Sequence, residues 1–352
     1  RLLENGANSS FVNRFLDADL PVSELVSDPL NTLPSDANSS FSHIPLPRDI
    51  FQGSDIPWLS SAGFDLDERS TGIRFETANI QMTELSVDSS RRLGCETDMT
   101  ENSTGNLRSS TSPADSSVVG QYSEATQAEV IAAIQRARNS LNDWSSRCVT
   151  ERAAILERAA ELFEARTAEF TSLIAKEAGR TLNDGLDEVR EAVDFCRYYA
   201  AQATSLMHSA LELPGVTGET NRLFYAPRGP WLCISPWNFP LAIFTGQIVA
   251  NLAVGNTVVA KPAEQTPLVA RLACDVLNEA GVPEGVINLV NGDGPTLGGW
   301  LLPDERIAGV SFTGSHPSAR VINRQLALRD GPIIPLIAET GGINCMVVDS
   351  TA

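Results

Sequence analysis

From about residue 123 to residue 207 the apolar residues recur at helical spacing, and this pattern predicts three helices. The first begins at the capping-box sequence formed by Thr126 and Glu129. The second ends at Gly179, which stands where a left-handed cap residue belongs. The third covers about 184–207. We interpret the charged residues between the apolar positions as solvated helix faces rather than as a catalytic carboxylate pair.

After about Arg222, short apolar runs of strand type alternate with helical segments. Alternation at this spacing is typical of βαβ units on a parallel sheet. The predicted fold is therefore α/β, with a parallel, Rossmann-like sheet that follows a set of helices. The predicted strands are 231–235, 257–260, 286–290 and 309–312, with further apolar runs at 334–338 and 345–348, and the first two helices between them are 241–252 and 267–280.

The first third of the chain has a different texture. Residues 1–26 are predicted to contain the end of one helix and a short second helix, separated by the stop signal Asn5-Gly6. In 27–111, Pro, Ser, Asp and Asn are frequent and apolar periodicity is weak. This composition predicts a linker or arm with one short ordered piece near 80–85. The globular domain is expected over 112–352.

Composition excludes several classes of function. The formal net charge of -18 argues against specific nucleic-acid binding, because phosphate recognition needs clustered lysine and arginine. No apolar run reaches the roughly 20 residues of a transmembrane helix. The six cysteines are scattered without a C-x-x-C pair, which favours a reducing compartment, the cytoplasm, over disulfides or structural zinc. The three histidines are also dispersed, so no metal site is predicted.

One polar side chain, Asn238, follows the predicted strand 231–235 between two prolines and two aromatic residues. In open α/β sheets, ligands bind beyond the carboxyl ends of the strands, so this position favours a ligand-binding amide. An alternative is that Asn238 caps the helix that begins near Leu241. The local sequence leaves both interpretations open.

Charged residues also follow the next strand. Lys261 and Glu264 are spaced so that they can hydrogen-bond the hydroxyls of a ribose, and the carboxylate would repel a 2′-phosphate. This pair therefore predicts NAD rather than NADP. The alternative is a surface turn that carries two charges.

Two glycine-containing turns repeat this logic further along the chain. Gly292 and Gly294, with Gly298 after them, follow a strand and open a helix, where backbone N–H groups can approach a pyrophosphate. The run 312–315, Phe-Thr-Gly-Ser, ends the next strand in the same way. The spacing is not G-x-G-x-x-G, and glycine turns are common.

A carboxylate, Glu339, ends the apolar run 334–338 and precedes two glycines. Partial burial of such a group raises the pKa of the carboxyl and makes it a reasonable general base. The same residue can instead accept a hydrogen bond from the turn that follows it. Sequence alone favours neither role.

Taken together, these motifs resemble the aldehyde dehydrogenase superfamily. The resemblance rests on Pro-Trp-Asn-Phe-Pro at 236–240, Lys-Pro-Ala-Glu-Gln-Thr-Pro at 261–267, Phe-Thr-Gly-Ser at 312–315 and Glu-Thr-Gly-Gly at 339–342. It extends back to Ser-Pro-Ala-Asp at 112–115, which is similar to the strand that opens the NAD-binding domain of that family.

Other segments resemble one branch, the bifunctional proline utilization A enzymes. Residues 1–14 are similar to the last substrate-binding helix of their proline dehydrogenase barrel, and 44–48 to their interdomain linker. Ala338 before the Glu-Thr-Gly-Gly motif, and Ile343 after it, also suit that branch. The resemblance implies oxidation of L-glutamate γ-semialdehyde with NAD.

The resemblance also implies roles for single residues. Asn238 would hold the oxyanion of a thiol adduct, and Glu339 would activate the water that hydrolyses the thioester. Lys261 and Glu264 would hold the adenosine ribose, and Ser315 with its helix would lie under the pyrophosphate. The full cofactor set is Ser235, Pro236, Trp237, Lys261, Glu264, Gly294, Gly298, Phe312, Thr313, Gly314 and Ser315.

In this family the nucleophile is a cysteine in a Gly-Gln-x-Cys context after the glutamate motif, and this chain has no such motif. Cys345 is interpreted as part of the entry into a buried strand, and Cys233 as a small core residue. We therefore expect a fragment that is inactive alone, whose homo-oligomeric parent also binds FAD in an upstream domain. The alternatives are another semialdehyde dehydrogenase and a noncatalytic nucleotide-binding module.

Overall fold

A computed structural model describes residue 21 and residues 46–64, 107–342 and 345–348. The helices predicted within 1–26 and the ordered piece near 80–85 lie outside these residues, apart from Pro21. The chain divides into two units, Arg1–Leu46 and Pro47–Ala352, and almost all described residues belong to the second. The domain boundaries therefore stay predictions.

The helical segment contains four helices rather than three. They are α1 (Gln127–Ser146), α2 (Val149–Ala165), α3 (Thr167–Ala178) and α4 (Leu182–Met207). The predicted capping box at Thr126 and the left-handed Gly179, with φ 66, are both confirmed. The predicted second helix is broken at Arg166, which has φ -101 and ψ 18. There the Thr167 hydroxyl donates to the Glu164 carbonyl (2.7 Å) and competes with the helical backbone pattern.

Among the described residues, the main sheet has five parallel strands, in the spatial order Ile287–Leu289, Thr257–Lys261, Pro230–Ile234, Gly309–Gly314 and Leu336–Thr340. This confirms the predicted α/β class. The strands are β5 (Pro230–Ile234), β6 (Thr257–Lys261), β7 (Ile287–Leu289), β8 (Gly309–Gly314) and β9 (Leu336–Thr340). The helices between and after them are α5 (Ala242–Ala253), α6 (Pro267–Ala280), α7 (Gly294–Leu301) and α8 (His316–Ala327).

The central strands β5 and β6 are buried along almost their whole length, because both faces of the sheet are covered. On one face, Cys233 and Ala260 belong to a core with α2 to α6. On the other, Leu232 and Val259 pack with α1, α7 and α8. The sheet therefore lies between two helical layers, and the carboxyl ends of its strands remain available for a binding site.

The described residues also form two antiparallel hairpins. They are formed by β1 (Leu107–Thr111) with β2 (Val118–Ser123), and by β3 (Leu211–Leu213) with β4 (Asn221–Leu223). Residues 112–115, whose sequence is similar to an opening strand, form the turn between β1 and β2 instead. Ser116, with φ 61, completes this reversal of the chain.

Part of the predicted arm packs on the helical layer. The Ser61 and Ala62 amides donate to Asp194 (2.6 Å) and Glu164 (2.8 Å), and Arg197 donates to the Ser60 carbonyl (3.3 Å). Residues 47–64 are therefore attached to α2 and α4.

The last apolar run differs from its prediction. Residues 345–348 form no strand, and Met346, Val347 and Val348 are exposed. Within the described part of the chain, β9 pairs only with β8, so these residues have no ladder partner. The interpretation of Cys345 as a residue of a buried strand is therefore wrong.

Candidate functional site

The carboxyl ends of β5 and β8 mark the point where the strand order reverses. The chain runs outward from β5 to β6 and β7, then returns to place β8 on the other side of β5. Such a switch point opens a crevice in which α/β proteins bind ligands. A cavity of about 1650 Å³ lies there, and every residue in the predicted catalytic and cofactor sets lines it. The structure thus brings these residues together, while their individual roles stay predictions.

Asn238 does not cap the helix that follows it. The Leu241 and Ala242 amides at the start of α5 donate to one oxygen of Glu188, Oε2, at 3.0 and 3.3 Å. Asn238 is half-buried, and its amide makes no hydrogen bond to another described residue while it lines the cavity. Its donors are therefore available to a ligand, which favours the ligand-binding interpretation over the capping one.

The aromatic neighbours of Asn238 are only partly covered. Trp237 is 52% exposed and Phe239 is 37% exposed. The guanidinium of Arg180 lies 5.1 Å from the centroid of the Phe239 ring, within the range of a cation–π contact. The Arg180 contact thus holds the loop against the protein, while the Asn238 amide faces the open cavity.

The end of β6 carries a buried cation. Lys261 has a side chain that is 5% exposed, and its Nζ donates to the Pro262 carbonyl at 3.0 Å and lies 3.5 Å from Glu264 Oε2. Burial lowers the pKa of Lys261, and the Glu264 charge partly offsets that effect. A surface turn does not bury its lysine in this way, so the ribose-binding interpretation of the pair is favoured.

An unpartnered hydroxyl lies beside this lysine. The Ser235 amide donates to the Lys261 carbonyl at 3.2 Å, and Ser235 is 5% exposed. Its Oγ is buried and has no hydrogen-bond partner in the described part of the chain. Because a buried hydroxyl normally finds a partner, this orphan fits a ligand that enters the cavity.

The two predicted anion-binding turns differ. Asp293 caps α7 by accepting from the Thr296 amide at 3.0 Å, and this hydrogen bonding lowers the pKa of the carboxyl. A negative charge therefore already occupies the start of α7. The start of α8 is capped by the neutral Ser315 hydroxyl, which accepts from the Ser318 amide at 3.2 Å. This contrast favours α8 over α7 as the helix that faces a pyrophosphate.

Glu339 lies at the carboxyl end of β9 and lines the same cavity. The expectation of partial burial is wrong, because the residue is exposed and β9 lies at the edge of the sheet formed by the described strands. The Glu339 charge nevertheless affects a residue inside the protein. Burial raises the pKa of Tyr199, and the charges of Tyr198 and Glu339 raise it further.

Sequence reasoning missed Gln247, which links the two strand ends. This residue of α5 donates from Nε2 to the Ile234 carbonyl at 3.2 Å and to Thr313 Oγ1 at 3.0 Å. The two acceptors lie at the end of β5 and near the end of β8, so the amide connects the carboxyl ends of these two paired strands. No local motif marks Gln247, because its partners lie 13 and 66 positions away.

None of the cysteines that the structure describes lines the cavity. Burial raises the pKa of the Cys233 thiol far above its usual range, which makes it a poor nucleophile and confirms a core position. Cys345 is exposed outside the cavity. Among the described residues, no cluster of three or more His, Cys, Asp or Glu side chains could hold a metal ion. No helix in that part of the chain has the length and apolar character needed to cross a membrane.

Comparison with known proteins agrees with this geometry. Residues 99–352 match the model of the aldehyde dehydrogenase family. The bifunctional protein PutA of Escherichia coli (strain K12) is 44% identical over all of this chain, which covers 26% of that protein. The chain thus spans about a quarter of the length of such relatives.

Two solved structures are also similar. A Bradyrhizobium japonicum proline utilization A mutant, D779W, is 43% identical, with a TM-score of 0.79 over 100% of this chain and 32% of the other. A 1-pyrroline-5-carboxylate dehydrogenase from Thermus with bound NAD is 33% identical, with a TM-score of 0.75 over 81% of this chain and 56% of the other. By its sequence and its fold, this chain belongs to the aldehyde dehydrogenase family.

Proposed function

We propose that this chain is the NAD-binding part of a longer enzyme that oxidises L-glutamate γ-semialdehyde to L-glutamate. The observation that carries the proposal is the convergence of the four motif regions on one cavity at the switch point. The name proline utilization A, carried by a relative that matches the whole chain, points to the use of proline as well. The reaction consumes aldehyde, NAD and water, and yields the acid, NADH and a proton.

The residues present fit NAD. Lys261 and Glu264 provide one cation and one carboxylate for the two ribose hydroxyls, and Ser235 offers an unpartnered hydroxyl beside them. The neutral cap of α8 at Ser315 leaves the amide end of that helix for the pyrophosphate. When bound, NAD supplies the two-electron oxidant.

The chemistry at the aldehyde is assigned to two further residues. Asn238 holds its amide free in the cavity, where it can stabilise an oxyanion on the substrate carbon. Glu339 is an exposed carboxylate at the same rim and takes a proton from the water that hydrolyses the acyl intermediate. This route needs a cysteine nucleophile, which we propose lies in a part of the longer enzyme outside the 352 residues. The 352-residue chain is therefore expected to be inactive alone.

The test has two arms. Calorimetric titration of the 352-residue chain with NAD should show binding, and Lys261→Met should weaken it about 10-fold, the loss of one charge-assisted contact. In the full-length protein, NADH formation with the semialdehyde should fall about 100-fold or more in Asn238→Ala. Full-length protein that binds NAD but oxidises no aldehyde would overturn the enzymatic assignment and leave a noncatalytic nucleotide-binding module.

Substrate choice separates the remaining enzyme alternative. A preference of the full-length protein for succinic or fatty semialdehydes over glutamate semialdehyde would identify another aldehyde dehydrogenase. We further propose that this segment binds no specific nucleic acid and that the parent is cytoplasmic, as the net charge and the free cysteines favour. A homo-oligomeric parent with FAD in an upstream domain is proposed from the family resemblance alone.

A further inference from the structure

A buried carboxylate lies next to the loop that carries Asn238. Glu188 is on α4 and is 1% exposed, and it accepts from the Leu241 and Ala242 amides through Oε2 alone. Its second oxygen, Oε1, is buried without a partner among the described residues. Burying a carboxylate that has only one hydrogen-bonded oxygen costs free energy. A buried glutamate at this position therefore suggests a specific structural role.

That role concerns the position of Asn238. The α5 helix has no cap from its own side chains, and Glu188 satisfies two of its first free amides from another element. Leu241 stands three residues after Asn238 and is fully buried. Glu188 of α4 therefore fixes the point at which the Asn238 loop joins α5. The Asn238 amide does not cap the helix and stays available in the cavity.

A second contact holds the same loop. Arg180 lies 5.1 Å from the ring centroid of Phe239, and its charge also acts on Glu188. Phe239 thus contacts a residue just before α4, and Leu241 is hydrogen-bonded to the second turn of that helix. Both contacts reach the loop from the helical layer rather than from the sheet.

We propose that Glu188 is a positioning residue that holds Asn238 in the oxyanion-binding geometry by fixing the first turn of α5. The inference rests on the proposed function. Since one oxygen makes both bonds, Glu188→Gln can present its carbonyl oxygen to the same two amides. Glu188→Met has similar length and removes the acceptor.

The matched control is another buried carboxylate with the same type of contact. Glu177 on α3 is 2% exposed and accepts from the Leu268 and Val269 amides at the start of α6. The α6 helix follows the Lys261 and Glu264 turn rather than the Asn238 loop. Loss of stability alone would affect Glu177→Met and Glu188→Met alike.

The experiment measures kcat of the full-length protein at saturating NAD. Glu188→Met should lower kcat about 10-fold to 100-fold with the Kd for NAD unchanged, because a displaced donor fails in the transition state. Glu188→Gln should restore kcat to within about 3-fold, and Glu177→Met should leave kcat at saturating NAD within about 2-fold. An unaltered kcat in Glu188→Met, or an equal loss in Glu188→Gln, would overturn the proposal.

A second measurement needs no activity. In Glu188→Asp, amide hydrogen exchange of the 352-residue chain should be at least about 10-fold faster over 236–242. We expect this variant to fold, but its shorter side chain does not reach both amides. Exchange there should stay at the wild-type rate in Glu177→Met. If the full-length protein oxidises no aldehyde, the proposed function fails, while unchanged exchange in Glu188→Asp defeats the positioning role itself.

Discussion

At the scale of single residues, Glu264 is the residue that we propose selects NAD over NADP. Its Oε2 lies 3.5 Å from the buried Lys261 ammonium, and its side chain is 44% exposed at the rim. A 2′-phosphate would meet this negative charge. Glu264→Gln should therefore improve the affinity for NADP relative to NAD by about 1 kcal/mol, roughly 5-fold, a value that allows for solvent screening.

Calorimetric titration with both cofactors checks this ratio. The matched control is Glu305→Gln, which removes the same charge at an exposed position that does not line the cavity. It should leave the ratio unchanged. A Glu264→Gln variant that discriminates against NADP as strongly as the wild type would show that another group carries the preference.

Residues of the site differ in how far sequence could identify them. Lys261 is the last residue of β6 and Asn238 comes shortly after the end of β5, so the strand-end rule predicts their place. Glu188 and Gln247 act on residues at distant positions in the chain, and nothing in their own neighbourhood marks them. The interpretation of charged helix residues as solvated is wrong for Glu177, Glu188, Arg152 and Arg197, which are buried. Periodicity separates apolar from polar positions, but it does not show which polar side chain finds a buried amide to bind.

At the scale of elements, the spacing between β5 and β8 depends on the absence of a side chain. Gly309 pairs with Trp231, and a Cβ at Gly309 would lie 2.3 Å from the Trp231 ring. The Trp231 indole is fixed in turn by donating to Ser311 Oγ at 2.9 Å. Gly309→Ala should destabilise the fold by about 1 to 3 kcal/mol, because the ring has to move or the strands have to separate.

Urea unfolding followed by circular dichroism measures this cost. Gly299 in α7 is the control, since a Cβ there meets nothing within 4 Å. Gly299→Ala should be neutral or stabilising by up to about 1 kcal/mol, as expected in a helix. Equal effects of the two substitutions would contradict the role of the Trp231 ring.

The elements themselves were predictable where the pattern is long and regular. The strands β5, β6 and β8 and the helices after them follow from short, mainly apolar runs and helical periodicity. The break at Arg166 did not follow, because the Thr167 hydroxyl acts against a periodicity that continues through it. The expected strand at 345–348 failed for a different reason, since a strand requires a neighbour and local sequence does not supply one.

At the scale of the whole molecule, two buried carboxylates join the helical layer to the helices of the sheet. Glu177 binds the start of α6, and Glu188 binds the start of α5. Burial is the main cause that raises the pKa of each to about 7, and the backbone hydrogen bonds oppose it. The docking of the layers is therefore sensitive to pH near neutrality.

The sign of this dependence follows from proton binding. Between pH 4.5 and about 7 the folded chain keeps protons on Glu177 and Glu188 that the unfolded chain has already lost. The free energy of unfolding should therefore fall as pH rises through this window, by about 1 to 3 kcal/mol for each carboxyl. Below pH 3.8, stability should fall for another reason, because hydrogen bonds lower the pKa of Asp184 and Asp304 and protonation removes that contribution.

Urea unfolding at half-unit intervals from pH 4 to pH 8 measures the slope. Repulsion within a chain of net charge -18 also grows with pH, so the series is repeated in roughly 1 M salt, where the screening length is about 3 Å. The contribution of the buried carboxyls should persist in salt. Glu177→Gln shifts absolute stability as well, but it should flatten the slope by the share of that one group. A Glu177→Gln slope that equals the wild-type slope in high salt would assign the pH dependence to surface charge instead.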